Sequence, residues 1–189
     1  DSLGIVQTWM AIQKLYQSYS STYYDATFLT NHDQNRIASV CKGNTNRLKV
    51  AANLLLTLPG TPFLYYGEEL GMKGEKPDEQ IREPFLWTEN TDNPYYAAWE
   101  EITYNTPHQL AALSAQQMDS SSLYHHYKQL ISVRNDHPIL REGTLLPYRE
   151  DLPQQLVVFY RALGDQKYMV VHNVSGRKKS IPTPLHWQV

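Results

Sequence analysis

The sequence predicts a parallel α/β architecture followed, from about residue 140, by a small antiparallel β region. Three observations carry this. Two short apolar runs, Ala26 to Thr30 and Thr61 to Tyr66, alternate with helical patterns through short connections, as βα units do. Past Pro138 the apolar spacing changes to period two, which suits strands. Within that part, Leu156 to Arg161 and Tyr168 to Asn173 flank Gly164-Asp165, a hairpin signal.

Taken in order, residues 2–20 read as a helix, with Ile5, Trp9, Ile12 and Tyr16 at helical spacing, ending in a Ser/Thr-rich stretch. Ala26 to Thr30 reads as a buried parallel strand, and Asn31 to Asn46 as a polar loop. Arg47 to Leu58 is a strong helix with Leu48, Ala51, Ala52, Leu55 and Leu58 on one face, stopped by Pro59-Gly60. Thr61 to Tyr66 is the second buried strand. The polar stretch from Gly71 to Pro107 is too long for a bare connector, and loops of that size usually carry function. Ser121 to Asn135 forms a further helix, with Leu123, Tyr127, Leu130, Ile131 and Arg134 in register, ended by Asp136-His137-Pro138. Leu145 to Tyr148, Lys178 to Ile181 and Leu185 to Val189 read as companion strands of the hairpin. The domain boundary therefore falls at 140, giving segments 1–140 and 141–189.

Composition narrows the function classes. A net charge of −2 with no run of either sign argues against a nucleic-acid or membrane-surface partner. No apolar run approaches the roughly 20 residues of a membrane span. The lone Cys41 excludes an internal disulfide and a cysteine-based zinc site. The opening residues show no basic segment followed by an apolar core, so no signal peptide is expected in them. The chain carries 14 Tyr and 4 Trp, rings on which sugars stack, although tyrosine also packs half-buried in any α/β protein.

Asn31-His32-Asp33 stands just past the C-terminal end of the first strand, where parallel β/α folds place their sites. An aspartate there can hold sugar hydroxyls or stabilise a developing positive charge. His32 can donate to a hydroxyl, and Arg36 is close enough in sequence to pair with the carboxylate and keep it ionised. A polar turn in which Asn and Asp cap the local backbone uses the same residues.

The stretch Phe28-Leu-Thr-Asn-His-Asp-Gln-Asn-Arg36 resembles the barrel-strand 7 signature of glycoside hydrolase family 13, the α-amylase family. Leu54 to Gly71 is similar to that family's helix 7 running into strand 8, and Ile81-Arg-Glu-Pro-Phe-Leu-Trp87 to a motif in the loop after strand 8. The helix ending in Val133-Arg-Asn-Asp-His-Pro-Ile-Leu140 resembles the last barrel helix, and the β region after it domain C. The resemblance implies the C-terminal portion of a (β/α)8 TIM barrel, helix 6 to helix 8, followed by a small antiparallel β-sandwich.

It further implies a retaining α-glucan hydrolase, in which a nucleophile and an acid/base carboxylate flank an oxocarbenium-like transition state. By correspondence Asp33 is neither of these but the third carboxylate, which stabilises the transition state. His32, Asn31, Arg36 and Arg82 are the expected substrate-binding residues, while Tyr65, Tyr66, Glu68 and Glu69 shape the strand-8 end. Trp87, Tyr95, Tyr96 and Trp99 could stack on sugars in outer subsites or pack within the loop. Arg-Glu-Pro-Phe-Leu-Trp resembles the α-amylase branch more than the oligo-1,6-glucosidases. An α-glucosidase, a maltogenic or transglycosylating relative, or a non-catalytic carbohydrate-binding module are the alternatives.

The family's Gly-x-Arg-x-Asp nucleophile motif and its strand-5 glutamate are absent from these residues. The chain is therefore expected to be a portion of a longer enzyme, inactive alone and prone to self-association through open strand edges. No metal site and no cofactor is expected in it; calcium, where the parent enzyme uses it, would be held by other residues. The expected partner is an α-glucan or maltooligosaccharide. Such polymers point to an extracellular or cell-envelope location, with a cytoplasmic one left open.

Overall fold

The computed structural model describes residues 2–90, 92, 94, 96–148 and 155–181. Helix α1 spans Ser2–Tyr19, strand β1 Ala26–Thr27, α2 Ile37–Val40, α3 Thr45–Thr57 and β2 Thr61–Pro62. A 3-10 turn covers Glu68–Leu70, followed by α4 (Asp78–Ile81), α5 (Leu113–Met118), α6 (Leu123–Asp136) and α7 (Pro138–Glu142). The chain then enters β3 (Thr144–Pro147), β4 (Leu156–Leu163) and β5 (Gln166–Asn173).

The β/α alternation is present: β1 and β2 pair in parallel, Ala26 opposite Thr61 and Thr27 opposite Pro62. Both strands are shorter than their apolar runs. Each has a single neighbour among the described residues, and Pro62 has no N–H to extend the ladder. The pair is also only half buried. Thr27 and Thr30 face inward, whereas Phe28, Phe63 and Leu64 stand exposed among the described residues.

Helix α3 follows its sequence pattern. Asn44 caps it by accepting the Arg47 N–H at 3.1 Å, and Leu48, Ala52 and Leu56 pack against Leu123 and Tyr127 of α6 in one apolar cluster. Its C-terminus is closed by Arg134, whose guanidinium donates to the carbonyls of Leu56 at 2.7 Å, Leu58 at 3.1 Å and Gly60 at 2.6 Å. Gly60 is required there: at φ +106° a Cβ would stand 2.6 Å from Thr27 Cγ2. Two short helices, α2 and α4, interrupt the predicted loops, and α7 continues past the predicted stop because proline fits the first turn of a helix.

The β region is a single antiparallel sheet in the order β3-β4-β5, with the predicted hairpin pairing Leu163 to Gln166. Leu156 to Phe159 are all buried, because both faces of the central strand are covered. On one face Val157, Phe159 and Leu145 meet Val6 of α1 and Leu58; on the other Leu156 and Val158 meet Tyr148. The sheet thus lies against helices α1 and α3, and the other sheet among the described residues is the two-stranded parallel pair β1–β2.

Two expectations change here. Helix α1 is buried through Val6, with Trp9 and Met10 beside it, whereas Ile5 and Tyr16 of the predicted stripe are exposed. Lys178 to Ile181 is not a strand. Asn173 Nδ2 and Ser175 Oγ both donate to the Arg177 carbonyl, at 2.7 and 2.9 Å, which turns the chain locally instead. The predicted strand Leu185 to Val189 lies outside the described residues. No described helix is long and apolar enough to cross a membrane.

Candidate functional site

Asn31, His32 and Asp33 leave the C-terminal end of β1 in a tight turn. The Asp33 N–H donates to Asn31 Oδ1 at 2.9 Å, and the Gln34 N–H to the Asn31 carbonyl at 3.3 Å. So the local capping role open to these residues is filled by Asn31, which leaves the Asp33 carboxylate free to point outward. Its side chain is 61% exposed.

A second segment meets this turn. The single helical turn α4 ends at Arg82, whose Nη2 donates to Asp33 Oδ1 at 3.1 Å and to Asp78 Oδ2 at 2.8 Å. Arg82 Nε donates to the His32 carbonyl at 3.1 Å, and His32 Nε2 lies 3.4 Å from Asp33 Oδ2. Asp78 is bonded in turn by Lys76 and Arg82; the Lys76 hydrogen bond, first, holds its carboxyl below the usual range. Arg82 is therefore bridged between two carboxylates. Exposed ion pairs of this kind contribute little to stability, because solvent screens them. The arrangement positions groups rather than holding the fold together.

Arg36 is elsewhere. The sequence suggested that it pairs with the strand-end carboxylate and binds substrate, yet it is 2% exposed and turned inward. Its Nε donates to the Ile81 carbonyl and its Nη1 to that of Tyr66, each at 2.7 Å, and its guanidinium lies over the rings of Tyr65 and Tyr66. Burial lowers its pKa from the ordinary arginine value. A planar donor fork with carbonyl and ring partners is well suited to that cavity, and Arg82 takes the place expected for Arg36 beside Asp33. What Arg36 does is hold the Ile81 carbonyl, next to Arg82, against the loop that begins at Asp33.

Further bonds stitch the two segments. The Arg36 N–H donates to the Gly74 carbonyl at 2.9 Å, and the Lys76 N–H to Asn35 Oδ1 at 2.9 Å. Gly74 in turn packs closely on the end of α4, where a Cβ would stand 2.4 Å from the Gln80 carbonyl oxygen. The long loop is braced by Glu83, fully buried, whose carboxylate accepts the N–H groups of Thr103, Tyr104 and Asn105 and the Asn105 amide at 2.7–3.0 Å. Trp99 reaches back within this loop, its indole N–H donating to the Arg82 carbonyl at 2.9 Å. Trp87 packs against Phe85 in a tilted pair, Tyr96 is half-buried, and Tyr95 lies outside the described residues.

Glu68 supports the strand end from below. It is 3% exposed, accepting from Tyr127 Oη at 3.1 Å and Thr30 Oγ1 at 3.4 Å, one residue before Asn31. Burial pushes its carboxyl up to about 7; the two hydroxyls and Arg36 oppose that shift, and Glu69 adds to it. Asp78 and Trp99 escaped the sequence reading as partners of Arg82. The Asp78–Arg82 spacing of four, which puts both on one side of a helical turn, was the available signal.

Two broad hollows lie away from Asp33. One of about 850 Å3 is lined by Met10, Tyr24, Asp25 and Arg141, and one of about 720 Å3 by Asn44, Arg47, Asn173 and Lys178. Asp33, His32 and Arg82 instead share an open face. It can accept and donate hydrogen bonds to hydroxyls and place a negative charge beside a developing cation. Among the described residues no group of three or more His, Cys, Asp or Glu side chains could hold a metal ion.

Residues 3–143 match the family profile described as alpha amylase, catalytic domain. The chain is similar to Alpha-amylase 3 of Dictyoglomus thermophilum, 38% identical over 173 residues, covering 92% of this chain and 34% of that protein. It is also similar to Alpha-amylase SusG of Bacteroides thetaiotaomicron, 32% identical over 181 residues, covering 92% of this chain and 26% of that protein. Among solved structures, Amy13B of Eubacterium rectale superposes with a TM-score of 0.75 at 32% identity, covering 89% of this chain and 33% of that one. The chain thus spans about a quarter to a third of the length of these relatives.

Proposed function

Because this chain belongs to the α-amylase family, glycoside hydrolase family 13, by its catalytic-domain match over residues 3–143, we propose that it supplies the transition-state-stabilising side of a retaining hydrolase of α-1,4-linked, starch-type glucans. The observation that carries this is the Asp33 carboxylate, 61% exposed in the turn six residues past a parallel strand, with one oxygen 3.1 Å from Arg82 and the other 3.4 Å from His32.

Asp33 accepts hydroxyl hydrogen bonds from the sugar at the scissile bond, and its charge favours the oxocarbenium-like transition state over the ground state. Arg82 holds one carboxylate oxygen in place, which lowers the reorganisation needed as charge develops. His32 donates to the same sugar, and Asn31 sets the turn that aims Asp33. The nucleophile and acid/base belong to parts of the enzyme outside these 189 residues, as does any calcium. Segment 1–140 is then barrel and 141–189 domain C. Phe28, Phe63 and Leu64, exposed beside β1 and β2, favour self-association of the chain when it stands alone. A polymeric substrate favours an extracellular or envelope location.

The test is product analysis on soluble starch. The enzyme carrying these residues releases maltooligosaccharides in the α-anomeric form, read by proton NMR before mutarotation, and the 189-residue chain alone releases none. β-Anomeric products, turnover by the pure chain, or glucosyl transfer without net hydrolysis would each count against the proposal.

A further inference from the structure

We infer that Trp99 is a preformed stacking platform for a pyranose ring of the glucan held at Asp33 and Arg82. The inference rests on the proposed sugar site and adds a residue to it.

Three observations meet at Trp99. Trp99 is 61% exposed, whereas Ile81 and Leu86 earlier in the same stretch are fully buried. Its indole N–H is not free to solvent but donates at 2.9 Å to the carbonyl of Arg82, the residue whose guanidinium bonds Asp33 at 3.1 Å. The loop that carries it is fixed a few residues on, where the Glu83 carboxylate accepts the N–H groups of Thr103, Tyr104 and Asn105. An exposed indole would ordinarily turn freely. Here its polar atom is held, and the loop is anchored from Thr103 on.

A sugar ring has an apolar C–H face and a rim of hydroxyls. A site for it needs a flat apolar surface beside charged hydrogen-bonding groups, and a fixed surface avoids the ordering cost of a mobile one. Trp99 supplies the surface, and Arg82 and Asp33 supply the rim contacts within one residue's reach. Trp87 is comparably exposed at 57%, but Phe85 crowds its ring, the two centroids 4.4 Å apart and the planes tilted by 54°. Among the described residues no aromatic ring occupies the face of Trp99.

Maltoheptaose titrated into the enzyme carrying these residues, kept from turnover by replacement of its nucleophile, and followed by intrinsic tryptophan fluorescence and by saturation-transfer NMR, tests this. The expected result is a fluorescence change that Trp99→Ala abolishes, with affinity roughly tenfold weaker. Trp99→Phe restores most of the affinity, and Trp87→Ala leaves both readouts intact. If Trp99→Ala binds as tightly as the parent enzyme while Asp33→Asn binds more weakly, the platform is refuted and the sugar site stands. If the parent enzyme does not bind maltoheptaose, both fall. Trp99 shielded from acrylamide in the sugar-free whole enzyme would show another part of the protein on that face and would also overturn the inference.

Discussion

Replacing Glu68 with glutamine removes a proton-binding group whose environment differs sharply between the folded and unfolded chain. Folded, its carboxyl sits at about 7, driven up by burial; its ordinary value is 4.5. Between those two values the folded state binds a proton that the unfolded state has lost. Stability contributed at this position is therefore complete below about pH 4.5 and declines as pH rises, reaching its full loss above about 7. A difference of about 2.5 units at 1.36 kcal/mol each gives a loss of roughly 3 kcal/mol. Glutamine is neutral throughout. It keeps an acceptor for Tyr127 and places an N–H donor toward Thr30 Oγ1, so both contacts of the acid survive in form. Urea unfolding of both proteins from pH 4.5 to 8 reads the effect as a difference. The stability of Glu68→Gln relative to the parent should rise by about 1.4 kcal/mol per pH unit across that window and level off above it. A pH-independent difference would refute the reasoning, since it would place the Glu68 proton equilibrium at the same pH in both states.

His172 should show the opposite slope. It is buried, and burial lowers its pKa from 6.5 to about 4. Thr57 Oγ1 donates to the Asn53 carbonyl at 2.6 Å, so it accepts from His172 Nε2 at 3.0 Å and leaves Nδ1 as the buried site for an added proton. The unfolded chain protonates first as pH falls, so roughly 3 kcal/mol is lost between pH 6.5 and 4. His172→Gln should flatten that acid limb in the same urea series, and an unchanged limb would contradict the assignment. Glu83→Gln replaces one oxygen that accepts two N–H groups with an amide that cannot accept them. A loss of about 2–4 kcal/mol is expected, with faster hydrogen exchange at Thr103, Tyr104 or Asn105. A change below about 0.5 kcal/mol would remove Glu83 from its role as the loop's brace.

Much of the fold was legible because local signals and packing agree. Pro59-Gly60 ends α3, its apolar face meets α6, and the Gly164-Asp165 turn sets the β4–β5 register. The departures occur where a neighbour decides. Apolar runs at β1 and β2 predict strands but not how many residues find a partner. Helix α1 has apolar residues on more than one side, and only contact with β4 selects Val6 over Ile5. At the site, Asp33, His32 and Arg82 came together as their motifs implied. Arg36 did not, because sequence proximity does not tell which way a long side chain turns when carbonyls and two tyrosine rings compete for it. Trp99 against Arg82 and Glu83 against Thr103 are contacts across a loop without periodicity, which no spacing rule could have found.

The central claim is that Asp33 stabilises the transition state without forming the bond to the sugar. Its most direct test is kcat and KM for soluble starch in the enzyme carrying these residues, with and without Asp33→Asn, alongside trapping of the glycosyl-enzyme intermediate. The account predicts a kcat lower by roughly 10²–10³-fold, a smaller change in KM, and the covalent label on a carboxylate other than Asp33. An Asp33→Asn enzyme that retains most of its kcat, or a label found on Asp33 itself, would contradict it.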